Sequence, residues 1–83
     1  MSELTVAVIS PEQTVYEGTA ASVVAPAWDG EVGILPGHAP MLTLLGEGVL
    51  RIGDAVRVRV TGGFIQVADN VVRVVTEQAK SVT

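Results

Sequence analysis

The sequence predicts an all-β protein, a sandwich or barrel of about nine short antiparallel strands, and three observations predict it. Short apolar stretches separated by Gly, Pro, Asp and Asn recur at the spacing of roughly 8 to 12 residues that such folds show. Valine dominates those stretches, and a β-branched side chain suits a pleated, half-buried surface. No segment before Ala79 keeps an apolar helical period for three turns.

In chain order the strands read Leu4 to Ile9, Thr14 to Glu17, Ala20 to Ala25, Gly30 to Ile34, Met41 to Leu45, Val49 to Ile52, Ala55 to Thr61, Gly63 to Val67 and Val71 to Glu77. Turns fall at Ser10-Pro11, Asp29-Gly30, Gly46-Glu47-Gly48, Gly53-Asp54 and Asp69-Asn70, where the residues tolerate the dihedrals that a reversal needs. Strands this short and close imply antiparallel hairpins, because a parallel crossover takes a dozen or more residues.

One hairpin yields a register. In Ala55-Val56-Arg57-Val58-Arg59-Val60 the valines take one face and the arginines the other, since side chains alternate along a strand. A two-residue turn at Gly53-Asp54 would pair Ile52 with Ala55 and place Leu50 and Ile52 on the arginine face. A three-residue loop, Gly53-Asp54-Ala55, instead pairs Ile52 with Val56 and Leu50 with Val58 and leaves Arg51, Arg57 and Arg59 outside. The buried face decides register, so the three-residue loop is expected. It sets Arg51 opposite Arg57, either as a solvated, salt-screened face or as a surface for an acidic partner.

Composition bounds the function. The 83 residues make one domain, 1–83, and a hydrophobic share of 48% against 17% charged residues excludes a disordered chain. There is no cysteine, which removes disulfides, thiolate zinc sites and thiol catalysis. Met1-Ser2-Glu3-Leu4 carries no leader pattern, and no apolar run approaches the ~20 residues needed to span a bilayer. A net charge of -4 argues against nucleic acid, although Arg51, Arg57, Arg59 and Arg73 fall within 23 residues.

The distinctive segment runs from Pro26 to Pro40 and holds three of the four prolines, the only Trp and the only His. Pro36 and Pro40 should end strand pairing at fixed points and leave a stiff loop, with Gly33 and Gly37 free to adopt conformations or close approaches denied to other residues. Stiff loops on a β scaffold are where binding surfaces concentrate. Val8-Ile9-Ser10-Pro11-Glu12, Tyr16-Glu17-Gly18, Asp29-Gly30-Glu31-Val32-Gly33-Ile34-Leu35-Pro36-Gly37-His38-Ala39-Pro40, Gly62-Gly63-Phe64 and Asn70-Val71-Val72 together resemble the amino-terminal domain of the epsilon subunit of F-type ATP synthases. The resemblance runs in order along essentially the whole chain.

It implies an all-β, flattened β-sandwich of two antiparallel sheets, five strands each. The nine strands read above fall one short, through a bulge or a split near Met41. It further implies a non-catalytic rotor component, without cofactor, that joins the gamma subunit to the c-subunit ring at the cytoplasmic face of a bacterial plasma membrane, touching the membrane only through the ring. On this resemblance Trp28, Asp29, Gly30, Glu31 and His38 belong to the ring-facing loop, and Ser10, Met41, Leu42 and Thr43 face gamma. Relatives commonly continue into two carboxy-terminal helices that can inhibit hydrolysis and in some cases bind ATP; if the sequence ending at Lys80-Ser81-Val82-Thr83 is the whole subunit, inhibition and nucleotide binding by those helices are expected to be absent, and if it is a fragment, only the sandwich's role is legible.

The remaining residues give little sign of chemistry. His38 has no second His or any Cys to complete a metal site, so a loop or interface hydrogen bond is expected of it. Ser10, His38 and a carboxylate could form a triad only on paper, because Ser10 precedes a proline and no strand-turn-helix elbow presents it. Trp28 is either part of the core at a sandwich end or an interface anchor. Gly62-Gly63 lies between strands with no helix behind it, which fits a bulge or tight connection and not a phosphate cradle. The rival function is a free-standing small-ligand or carbohydrate-binding domain, which would have to build its pocket from Tyr16, Trp28 and Phe64.

Overall fold

A computed structural model describes residues 3–82, so the single domain expected over 1–83 is seen without Met1, Ser2 and Thr83. Ten strands form among these residues: β1 (Leu4–Ile9), β2 (Thr14–Ala20), β3 (Val23–Ala27), β4 (Gly30–Ile34), β5 (Met41–Leu44), β6 (Glu47–Ile52), β7 (Val56–Thr61), β8 (Phe64–Ala68), β9 (Val71–Val75) and β10 (Gln78–Ser81). They make two five-stranded sheets, sheet I in the order β2-β1-β9-β8-β5 and sheet II in the order β10-β7-β6-β3-β4. The body is flattened, 31 × 25 × 19 Å.

Alternation places the core between the sheets. Leu4, Val6 and Val8 of β1, Val72 and Val74 of β9 and Ile65 and Val67 of β8 point inward from sheet I, and meet Leu50, Ile52, Val58, Val60, Val23, Ala25 and Ile34 of sheet II, all at most 2% exposed. Valine recurs because two layers about 10 Å apart leave room for a short branched side chain from each. Thr76 is the buried polar side chain described, and its Oγ1 lies 3.0 Å from the carbonyl of Gln78 and 3.2 Å from that of Thr61, so its proton is never without an acceptor.

The chain passes between the sheets five times, at residues 21–22, 35–40, 45–46, 62–63 and 76–77. Four of these passages are two residues long. Gly62 (φ 69°) and Gly63 (φ 105°) make one of them, the tight connection expected there.

The hairpin register is the three-residue one: Ile52 pairs with Val56, Leu50 with Val58 and Arg51 with Arg57. Three expectations need correction. The tenth strand is β10 at the carboxy-terminal end and not a split near Met41, where β5 is continuous; Ala79 alone of Gln78-Ala79-Lys80-Ser81 is half-buried, so the stretch gives no alternating signal. β3 runs through Pro26, which is tolerated because β3 pairs with β6 only at Val23 and Val24, leaving no ladder bond on that side for the missing amide to break. The pairing is not wholly antiparallel, since β1 and β9 run parallel from Thr5 beside Val71 to Ile9 beside Val75. A parallel pair needs a long connection, and here residues 10–70, with seven intervening strands, supply it.

Candidate functional site

The outer face of sheet I carries an apolar row assembled from four strands. Alternation turns Leu42 and Leu44 outward on β5, Phe64 outward on β8, and Ile9 and Val75 outward on β1 and β9. The register then aligns Leu44 with Phe64, Phe64 with Val75, and Val75 with Ile9. Leu42 is 68% exposed, Leu44 62% and Phe64 39%. Trp28 joins them at 67% exposure and shares a shallow concavity with Leu42, Thr43, Leu44 and Phe64. Contiguous exposed apolar surface of this kind marks a protein contact more often than isolated exposed residues do.

Trp28 reaches that row because the end of β3 is pinned to the end of β5. Its amide donates to the Leu44 carbonyl (3.1 Å), the Gly46 amide donates to the Pro26 carbonyl (2.8 Å), and Ala27 bridges Leu45. The β3–β4 turn at Trp28 and Asp29 is therefore held against sheet I although its strands belong to sheet II. Gly30 (φ 131°) and exposed Glu31 follow it as the first residues of β4, paired with Ala27 and Pro26. Of the two readings of Trp28, the core one fails on its exposure.

The expected site residues separate into groups. Leu42 and Trp28 come together in the row, while Met41 on the opposite parity of β5 packs against the core and Thr43 is half-buried. Ser10 follows Ile9 at the far end of the row, in a turn where its amide (2.9 Å) and its hydroxyl (3.1 Å) both donate to the Gln13 carbonyl. His38 is not beside Glu31. It precedes β5 and lies near Asn70, whereas Trp28, Asp29, Gly30 and Glu31 lie by the other end of β5.

Pro36 and Pro40 bound an ordered loop, as expected. The His38 amide donates to the Leu35 carbonyl (3.1 Å), and Nδ1 stands 2.7 Å from the Ala39 carbonyl. A carbonyl oxygen only accepts, so Nδ1 carries the proton in this bond. Gly37 uses a left-handed φ of 88°, but Gly33 does not need its freedom, being extended with open space where a Cβ would stand.

The geometry also removes the triad. Ser10 follows β1 and His38 lies by Asn70, which precedes β9; because β1 and β9 run parallel, the two residues stand at opposite ends of sheet I. About five strand residues separate them, roughly 16 Å. Among the described residues, no three of His, Asp and Glu are placed to hold a metal ion.

Sheet II shows a different outer face. Arg51 and Arg57 stand directly opposed, Arg59 pairs with Lys80 across β7 and β10, and Arg51 reaches Glu31 at 3.7 Å with both side chains largely solvated. An exposed pair at that distance contributes about 0–1 kcal/mol. Arg73 lies apart from this group, exposed on the outer face of sheet I.

Sequence reasoning missed the apolar row. Phe64 carried the clearest signal, because Ile65 and Val67 had to face the core and that parity turns Phe64 outward.

Comparisons with known proteins agree with the fold. Residues 3–82 match the family described as ATP synthase, Delta/Epsilon chain, beta-sandwich domain. The ATP synthase epsilon chain of Leptospira borgpetersenii serovar Hardjo-bovis is 47% identical over 78 residues, covering 90% of this chain and 61% of that one. That of Synechococcus elongatus is 44% identical over 80 residues, covering 93% and 58%. A chain in the solved mitochondrial ATP synthase of Euglena gracilis has the same fold, with a TM-score of 0.88 at 22% identity over 98% of this chain and 54% of that chain. The present chain thus spans about 60% of the length of the curated relatives. With its ten-stranded sandwich matched from residue 3 to residue 82, this chain belongs to the β-sandwich family of ATP synthase delta and epsilon chains.

Proposed function

We propose that this chain is a non-catalytic rotor component of an F-type ATP synthase that joins the gamma subunit to the c-subunit ring and supports the coupling of ion flow to ATP synthesis. The observation that carries this reading is the apolar row of Leu44, Phe64, Val75 and Ile9 with Trp28 at its end. A monomer gains nothing from exposing it, and each large apolar side chain withdrawn from water contributes about 1.5–3 kcal/mol. The row is the surface for gamma, with Leu42 and Thr43 beside one end and Ser10 beside the other. The turn formed by Trp28, Asp29, Gly30 and Glu31 faces the ring. His38 goes with the sheet I surface and not with that turn, because its loop leads directly into β5.

Family membership supports this reading, and the Euglena structure that shares the fold is an assembly of an ATP synthase with its c-ring. The chain would work at the cytoplasmic face of a bacterial plasma membrane, held there by its partners. Among the described residues no helix is long and apolar enough to cross a membrane. A carbohydrate or small-ligand site finds less support, because Tyr16 packs against the core while Trp28 and Phe64 line only a shallow surface.

Affinity capture from native membranes tests the two surfaces separately. The unaltered chain should recover both gamma and c-subunits. Phe64→Asp should lose gamma, and Glu31→Lys should weaken ring recovery while gamma is retained in a detergent that splits the ring away. Recovery of both partners by both variants would sink the assignment.

A further inference from the structure

We infer that Asn70 is a positioning residue that holds the Pro36–Pro40 loop in its docking shape; this rests on the reading of sheet I as the gamma-facing surface. Asp69 (φ 50°) and Asn70 (φ 63°) form the two-residue turn between β8 and β9, both left-handed, as such a turn requires. Backbone conformation alone does not call for asparagine at the second position, where glycine relaxes more easily. The side chain accounts for it. Asn70 Oδ1 accepts a hydrogen bond from the Gly37 amide at 2.7 Å, across 33 residues of sequence.

The same residue's carbonyl accepts from the Thr5 amide at 2.8 Å, so Asn70 ties the start of β1, the β8–β9 turn and the proline loop to one point. The loop has few other means of attachment. Pro36 and Pro40 have no amide proton, and the His38 amide is turned back to Leu35 within the loop itself. The Gly37 bond is what fixes the loop to sheet I beside the entry to β5. Fixing it beforehand spares a partner the entropy of ordering Leu35 to Pro40 on contact. Asn70 touches no partner in this scheme; it acts through the loop.

Asn70→Gly and Asn70→Asp in the intact subunit test the inference. Glycine keeps the left-handed turn and removes the acceptor, while aspartate keeps a carboxylate oxygen in place of Oδ1. For Asn70→Gly we expect a melting temperature close to that of the unaltered protein, Gly37 amide exchange by NMR about ten-fold faster, and a Kd for isolated gamma raised about three- to ten-fold. Asn70→Asp should bring both back to within about two-fold. Unchanged Gly37 exchange in Asn70→Gly would overturn the tether, and faster exchange with unchanged gamma affinity would overturn its role in docking. If the unaltered subunit itself fails to bind gamma, the rotor reading falls and the docking role with it, while the exchange measurement still decides whether Asn70 orders the loop.

Discussion

Gly63 is the residue at which the fold has least freedom. A Cβ there would lie 1.9 Å from the Val75 carbonyl oxygen and 2.7 Å from Thr76 Cα, both backbone atoms, at a φ of 105° that side chains rarely adopt. Clash and dihedral strain act together, so Gly63→Ala should cost about 3 kcal/mol or more. Thermal unfolding followed by circular dichroism should show a fall of more than about 12 °C, or no folded protein, since a domain this size loses about 4–8 °C per kcal/mol. Gly33→Ala, with open space around its Cβ, should stay near the unaltered value. A loss no greater than that of Gly33→Ala would refute the account of Gly63. Sequence reasoning located the tight connection at Gly62-Gly63, because two glycines between alternating runs have few other uses. It could not tell which glycine is indispensable, since the clash comes from Val75 and Thr76, brought there only by pairing.

Among the elements, the hairpin of β6 and β7 shows how much a pattern can decide. Valines and arginines alternate strictly over Val56–Val60, so only one register buries Ile52, Leu50 and Val58 together, and that is the register found. Two variants test the argument. Removing Ala55 leaves a two-residue turn led by Gly53 and keeps Ile52 opposite Val56, so the protein should fold with a melting temperature within a few degrees. Exchanging the neighbours Val58 and Arg59 (Val58→Arg with Arg59→Val) instead leaves the loop unchanged and turns an arginine into the core opposite Leu50; that variant should not fold cooperatively. Similar stability in the two would show that register is not set by the buried face. β10 was illegible by the same logic, having a single half-buried apolar residue on an edge. The apolar row was hidden for another reason: Met41-Leu42-Thr43-Leu44-Leu45 is apolar at both parities, and neither Ile9 nor Val75 shows from sequence which residues stand beside it.

For the whole molecule, the pairing of β1 with β9 dominates the assembly of sheet I. Thr5 must find Val71 and Ile9 must find Val75, contacts between residues 66 positions apart in a chain of 83. Sheet II also waits for distant partners, with Val23 beside Ile52. Chains dominated by such contacts fold slowly, so refolding from denaturant should fall in the range of roughly milliseconds to seconds. Stopped-flow tryptophan fluorescence measures it through Trp28. Relaxation in microseconds would show that local hairpins alone decide the rate.

The two-residue passages between sheets have a consequence for what the body can admit. A laminate whose leaves are sewn together at intervals cannot delaminate along one seam: parting the layers means tearing hydrogen-bonded ladders in both. While the stitching holds, the space between the leaves stays closed to a guest, and what this sandwich offers a partner is its outer surface.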